Sequence, residues 1–327
     1  MSVPLAARAL WYVAPGHAEI RAQALPPRAP DQVLVRSRVS ALSRGTERLV
    51  LEGRVPASQH EAMRAPLMEG AFPFPVKYGY CALGDVEDGP GALRGRRVFV
   101  LHPHQDRFLA PAAMCIPVPD ALPDHRAVMA ANMETALNIL WDARPLPGER
   151  CLVVGAGLVG LLTASLLARM PGIRPVLVDV DPGRAALAAA VGAGFALPAD
   201  APGDQDLIIH ASASAAGLAL ALDRAGFEAR IVEASWHGDR AVPLPLGEAF
   251  HSRRLSLLSS QVGAVAPAMR GRRTHAERLA LALDLLADPR LDALAAPVAR
   301  FEDLPQALPA LLAGGAAAPP CPVVTYI

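Results

Sequence analysis

The stretch Cys151-Leu152-Val153-Val154 runs without a break into Gly155-Ala156-Gly157-Leu158-Val159-Gly160, and an apolar run follows as far as residue 169. Four apolar residues predict a short buried strand, and the longer run predicts a helix. The glycines between them require a tight turn. Gly155 permits the sharp change of direction, Gly157 offers backbone without a Cβ, and Gly160 lets the helix lie close on the strand. A helix that starts here presents unpaired N–H groups and the positive end of its dipole. That arrangement suits a pyrophosphate. Spaced glycines alone are a weak signal, but strand, glycines and helix in this order assign Gly155, Ala156, Gly157, Leu158, Val159 and Gly160 to dinucleotide binding.

A second requirement is an acid about twenty residues further on, at the end of the next strand. Val176-Leu177-Val178-Asp179 supplies it. The Asp179 carboxylate accepts hydrogen bonds from ribose hydroxyls and repels a 2′-phosphate, so NAD(H) is favoured over NADP(H). Arg184 opposes that preference, because arginine holds phosphate well, and it is counted among the cofactor-binding candidates. Asp181 competes for the ribose role, but it lies past the strand and reads as a cap for the following helix.

The pattern then repeats. Residues 150–154, 175–180, 206–210, 229–233 and 254–259 read as strands, with helices at 158–169, 183–191 and 215–225 between them. Strands alternating with helices predict an α/β, doubly wound parallel sheet. The first third reads differently. Residues 32–42, 81–87 and 97–101 are short strands, and Asp88-Gly89-Pro90-Gly91 makes a turn, which predicts a small barrel or rolled sheet. A helix over 126–141 leads into the parallel part. The tail holds helices at 275–287 and 304–312 and a strand at 322–326, and it returns to the first domain. The expected domains are therefore 1–125 with 265–327, and 126–264.

Of the 327 residues 52% are hydrophobic and 19% charged, so burial outweighs chain entropy and disorder is excluded. Lys plus Arg and Asp plus Glu both number 31, which leaves no net charge to attract nucleic acid or an anionic membrane. No apolar stretch reaches membrane-spanning length. Cys81, Cys115, Cys151 and Cys321 are far apart, with neither a zinc-type CxxC nor a disulfide framework. The opening residues lack a basic segment followed by a long apolar run. These features predict a reduced, cytoplasmic chain whose partner is a small molecule.

On these residues the chain resembles the medium-chain dehydrogenase/reductase superfamily, the zinc alcohol dehydrogenase-like proteins, over essentially its whole length. The shared order is a GroES-like β domain, a Rossmann domain and a tail that rejoins the first. Ser43-Arg44-Gly45-Thr46-Glu47 and Lys77-Tyr78-Gly79-Tyr80 are most similar to a zinc-poor branch that includes bacteriochlorophyllide a dehydrogenase-like proteins. Zinc members carry a cysteine ligand where this chain has Ser43-Arg44-Gly45-Thr46-Glu47, and a histidine ligand where it has Tyr80 in Gly79-Tyr80-Cys81. Glu134 is similar to the third, carboxylate ligand, and the loop with four structural cysteines is missing after Leu101. A catalytic zinc takes three protein ligands of thiolate, imidazole or carboxylate type, so no metal is expected. His102 and His104, two apart on what reads as a strand, would share one face, but they lack a third ligand. Packed or exposed roles are expected for His104 and Lys77.

The resemblance then implies a hydroxyl relay. Thr46 matches the position that contacts the substrate alcohol, Tyr80 stands in the lost histidine's place, and Ser43 assists. The catalytic candidates are Thr46, Tyr80, Ser43 and Glu134. Each has a structural alternative. Ser43 and Thr46 would cap a helix starting near Glu47, Tyr80 would be a core aromatic, and Glu134 would pair with Arg44 or another arginine. Ser212 and Ser214 occupy positions where the superfamily places small residues beside the cofactor. Trp236 follows the next strand at the carboxyl edge of the sheet, where open α/β folds bind ligands. The implied activity is NAD(H)-dependent, zinc-independent interconversion of an alcohol and a carbonyl. Two alternatives stand beside it: a zinc-free, NADPH-dependent quinone or enoyl reductase, and a cofactor-binding protein without catalysis. Similar proteins form homodimers through Rossmann sheet edges, and residues 255–262 are the candidate edge here.

Overall fold

A computed structural model of the protein describes residues 5–315 and 318–326. The chain divides into two units. One takes residues up to 131 with 279–287 and 295 onward, and the other takes 132–278 with 288–294.

The first unit begins with a hairpin of β1 (Ala6–Ala14) and β2 (His17–Ala24), then β3 (Gln32–Ala41) and helix α1 (Arg44–Leu51). Six short strands follow: β4 (Glu69–Gly70), β5 (Val76–Lys77), β6 (Ala82–Asp88), β7 (Arg97–Val100), β8 (Arg107–Pro111) and β9 (Ile116–Pro117). Burial alternates along β3, with Val33 and Val35 inside and Arg36 outside, as one solvated face requires. Val33, Val35, Val86, Val98, Val100 and Phe108 form one apolar cluster. Gly84 on β6 has a packing reason, since a Cβ there would come within 2.3 Å of the Arg36 carbonyl oxygen.

Two helices, α2 (Asp124–Ala127) and α3 (Ala130–Ala143), replace the single helix expected over 126–141. The first turn closes tightly, with the Met129 N–H bonded to the Arg126 carbonyl three residues back, and the helix restarts beyond it. The second unit then runs β10 (Cys151–Val154), α4 (Leu158–Leu167), β11 (Val176–Val178), α5 (Ala185–Ala190), β12 (Gly194–Ala196), β13 (Gln205–His210), α6 (Ala215–Arg224), β14 (Ala225–Glu233) and β15 (Ser256–Ser259). The sheet order is β12-β11-β10-β13-β14-β15, with every pairing parallel. This is the doubly wound sheet that the alternation predicts. All four residues of β10 are buried, and α4 is buried on nearly all sides. A helix so enclosed must be apolar all round, and its Thr163 hydroxyl is satisfied by the Val159 carbonyl at 2.8 Å.

The tail forms α7 (His275–Leu285), β16 (Ala295–Arg300), α8 (Leu304–Ala313) and β17 (Cys321–Thr325). The last strand pairs antiparallel with β3, so Cys321–Thr325 is built into the first unit's sheet. That sheet runs β16-β17-β3-β6-β7-β9, with β8 also on β3, and a smaller sheet runs β2-β1-β5-β4. No helix among the described residues is long and apolar enough to cross a membrane.

The strand–helix packing at the glycine loop generates a test. A Cβ on Gly160 would lie 1.9 Å from the Gly155 carbonyl oxygen, whereas one on Gly157 would meet nothing within 4 Å. Gly160→Ala is expected to cost about 1–3 kcal/mol of folding stability, and Gly157→Ala less than about 1 kcal/mol. Urea denaturation of the two variants compares them; equal losses would show that the helix can retreat.

Candidate functional site

In the second unit the strand order reverses between β10 and β13, and the glycine loop leaves β10 at that point. Ligands of doubly wound sheets bind at such a reversal, beyond the carboxyl ends of the strands. Gly155 has φ +109°, and a Cβ on it would press on the Ala211 and Ser212 backbone at 2.9 and 2.8 Å. Gly157 is the N-cap of α4, with no side chain satisfying the first turn. The amide end of a ten-residue helix is thus presented across open backbone, and an ordinary side chain at Gly157 would fill that cradle. A dinucleotide pyrophosphate fits these donors.

Asp179 follows β11. Its Oδ2 accepts the Ala156 N–H of the glycine loop at 2.7 Å, and its Oδ1 accepts the Asp181 N–H at 3.0 Å. Two amides therefore hold the carboxylate against the loop, and each oxygen keeps a lone pair for a further donor. Asp181 caps the next turn by accepting the Gly183 N–H at 2.9 Å, and Arg184 lies 3.4 Å from that same aspartate. Ser214 is the N-cap of α6, accepting the Gly217 N–H at 3.3 Å. Ser212 bonds His210 Nε2 at 2.8 Å. Trp236 is half-buried in the loop after β14. The neighbouring His210, Glu233 and His237 lie at and just beyond the ends of β13 and β14, and no local motif in the sequence marks them as a group.

In the first unit three of the proposed catalytic residues meet. Ser43 is the N-cap of α1, yet its side chain caps nothing. The Tyr80 hydroxyl instead donates to Ser43 Oγ at 2.5 Å, and the Thr46 side chain hydrogen-bonds the same phenol. Burial pushes the Tyr80 phenol above its ordinary value, and the nearby Cys81 thiol adds to that, while the bonds to Ser43 and Thr46 pull back. Tyr80 therefore keeps its proton at neutral pH. Gly79, at φ +127°, admits Tyr80 to this position, because a Cβ there would strike the His104 ring at 2.8 Å.

Beneath these hydroxyls lies a buried chain that sequence reasoning missed. Glu47 is fully buried; its Oε1 accepts the Ser43 N–H at 2.7 Å, and its Oε2 accepts the Tyr12 hydroxyl at 2.7 Å and His104 Nε2 at 3.0 Å. His104 Nδ1 bonds Ser40 at 2.7 Å, and Ser40 bonds Tyr326 at 3.0 Å. Glu47 and His104 were visible as polar residues, but their meeting was not, because 57 residues separate them. The expected strand at 102–104 is irregular chain. The two histidines share no face: His102 stacks on Phe108 at 3.8 Å while His104 joins Glu47.

Glu134 belongs to the second unit and has another setting. It is buried, and its Oε1 takes Arg278 Nε at 2.9 Å. The same guanidinium donates to Asn138 at 2.6 Å and to the carbonyls of Ala264 and Val262 at 3.2 and 2.5 Å. Burial raises the Glu134 carboxyl, and Arg278 opposes that shift. The arginine partner of Glu134 is thus Arg278, and Arg44 instead donates to the Leu311 carbonyl at 3.0 Å.

These two units, one rolled β and one doubly wound with a glycine loop at the reversal, recur together in solved proteins. L-idonate 5-dehydrogenase from Escherichia coli superposes with a TM-score of 0.81 at 15% identity, over 99% of each chain. This is the medium-chain dehydrogenase/reductase fold. A protein of Escherichia coli CFT073 named a short chain alcohol dehydrogenase and solved with NADH has the same fold at TM-score 0.76 and 17% identity, over 98% of this chain and 99% of that one. Another chain of the medium-chain fold was solved with NADP. In sequence, an uncharacterized zinc-type alcohol dehydrogenase-like protein of Haemophilus influenzae is 26% identical over 215 residues. That alignment spans 62% of this chain and 58% of the relative's length. No family model matches the chain.

Burial of polar groups in the first unit has a pH consequence. The enclosed His102 imidazole is pushed down to about 3 from 6.5, chiefly by burial. Between those values an unfolded chain binds a proton there that the folded chain refuses, so stability falls as pH drops below about 6.5 and is level above it. One such proton is worth up to about 1.4 kcal/mol per pH unit. His102→Leu is expected to lose about 2 kcal/mol less than wild type between pH 6.5 and 5, measured by urea denaturation at both values. Parallel losses would mean that His102 is not the group responsible.

Proposed function

We propose that the protein is an NAD(H)-dependent, zinc-independent oxidoreductase that interconverts an alcohol and a carbonyl by hydride transfer. The observation that carries this reading is the Tyr80 phenol, protonated by its surroundings and bonded to Ser43 and Thr46. When bound, the nicotinamide supplies the hydride acceptor or donor. The amides of Gly155 to Gly160 and the α4 N-terminus hold its pyrophosphate. Asp179, fixed by two backbone N–H groups, accepts the adenosine ribose hydroxyls and disfavours a 2′-phosphate. When substrate binds, the Tyr80 O–H turns from Ser43 Oγ to the substrate oxygen and yields its proton to a developing alkoxide, and the Ser43 hydroxyl then donates to the phenol oxygen. Ser43 and Thr46 orient the phenol and are the next hydroxyls along the proton's route.

Hydroxyls are not the thiolate, imidazole and carboxylate set that catalytic zinc takes. Ser43, Thr46 and Tyr80 therefore do not fit a zinc ion, and the proposed chemistry rests on their oxygens. Glu134, clamped by Arg278, is assigned a structural part in this reading. The reading includes a homodimer joined through β15, one of the two edge strands of the second unit's sheet, where Leu257 and Leu258 are 37% and 38% exposed.

Two variants test the proposal. Asp179→Ala is expected to weaken NAD(H) binding ~10-fold and to narrow the preference over NADP(H), since roughly 1.4 kcal/mol of ribose hydrogen bonding is lost. Fluorescence titration with both reduced cofactors measures this, and a wild type that strongly prefers NADPH would favour the reductase of activated double bonds. Tyr80→Phe is expected to lower kcat on a carbonyl panel by ~10²-fold with little change in cofactor affinity. An unaltered rate would leave Tyr80 as packing.

A further inference from the structure

We propose that His210, Glu233 and His237 form a binding site for a divalent transition-metal ion of the zinc type within the second unit. The ligand atoms of all three lie within 4.8 Å of one another. Glu233 Oε2 is the meeting point, 2.6 Å from His210 Nδ1 and 3.5 Å from His237 Nε2. Bonds of about 2.0–2.1 Å in a tetrahedral set would space the ligand atoms about 3.3 Å apart, so small movements of side chains suffice.

The surroundings are those of a prepared site. Glu233 is fixed from behind, because its Oε1 accepts the Ser235 N–H at 2.6 Å. His210 is completely buried at the end of β13, with no rotational freedom to waste. A metal on its Nδ1 places the ring proton on Nε2, where Ser212 Oγ at 2.8 Å accepts it. That outer bond is what orients ligating histidines in general. The His210 and His237 rings lie nearly parallel, at 13° and 6.0 Å between centres. The side chains of Glu233 and His237 are 17% and 16% exposed, which lets a water complete the coordination.

Two imidazoles and one carboxylate select zinc-like ions over magnesium or calcium, which take oxygen ligands. The occupant would tie the ends of β13 and β14 to the loop that carries Trp236. Nothing in this inference requires the proposed hydride chemistry.

The test uses the full chain, freed of metal by a chelator and titrated with zinc chloride by calorimetry, with the thermal midpoint followed alongside. Wild type is expected to take up one zinc ion with a rise in Tm that excess magnesium does not reproduce. His237→Ala, altered at a half-buried loop position, and Glu233→Gln, nearly isosteric, are expected to weaken binding ~100-fold and to lose the Tm rise. Absence of saturable zinc binding by wild type would overturn the proposal. So would undiminished affinity in both variants, which would place any zinc elsewhere.

Discussion

The backbones of Gly160 and Gly155 lie so close that no side-chain carbon fits between them, and the second unit is organised around that approach. It lets α4 lie directly on β10, and the enclosed face of α4 is apolar because water cannot reach it. It also sets the amide end of α4 beyond the strand ends, where Asp179 is pulled onto the loop by the Ala156 N–H. Strand, turn, helix and acid are therefore one mechanical piece. Its parallel neighbours, β11 and β13, pair with β10 in register and fix where their own terminal residues come to rest. His210 owes its position opposite Val154 to that register.

The first unit is organised by a buried carboxylate. Glu47 has left water entirely, and such a group is tolerated only when its lone pairs are satisfied. Tyr12, His104 and the Ser43 N–H satisfy it, and they come from three different parts of the chain. The bond to the Ser43 amide fixes the first turn of α1 without using the serine hydroxyl. That hydroxyl is then available to Tyr80, which explains how one residue is both a helix N-cap and a partner of the phenol. The four cysteines are buried and form no disulfide among the described residues, and burial pushes the thiols of Cys115, Cys151 and Cys321 up to about 12.

Elements whose pattern was diluted were hard to read from the chain. The β1–β2 hairpin is rich in alanine, charge and single aromatics, and it is a strand pair because its residues line up across from each other, Leu10 opposite Ile20. The same holds for β12, only Gly194-Phe195-Ala196, and for β16, half of it alanine with a proline at 297, which become strands beside β11 and β17. Propensity in such segments is too weak to decide the backbone, and the neighbouring strand decides it.

The amino-acid sequence by itself determined the alternating strands and helices of the second unit, the glycine turn and the acid at position 179. All of these are local, because periodicity and chain stiffness act over one or two turns or a single strand. Only the tertiary structure decided which polar groups touch. Tyr80 reaches Ser43 across 37 positions, Glu134 reaches Arg278 across 144, and the three ligand groups of His210, Glu233 and His237 converge from two strand ends and a loop. Those contacts follow from sheet register and from the need to satisfy every buried polar atom, and neither is written in any local stretch of the chain.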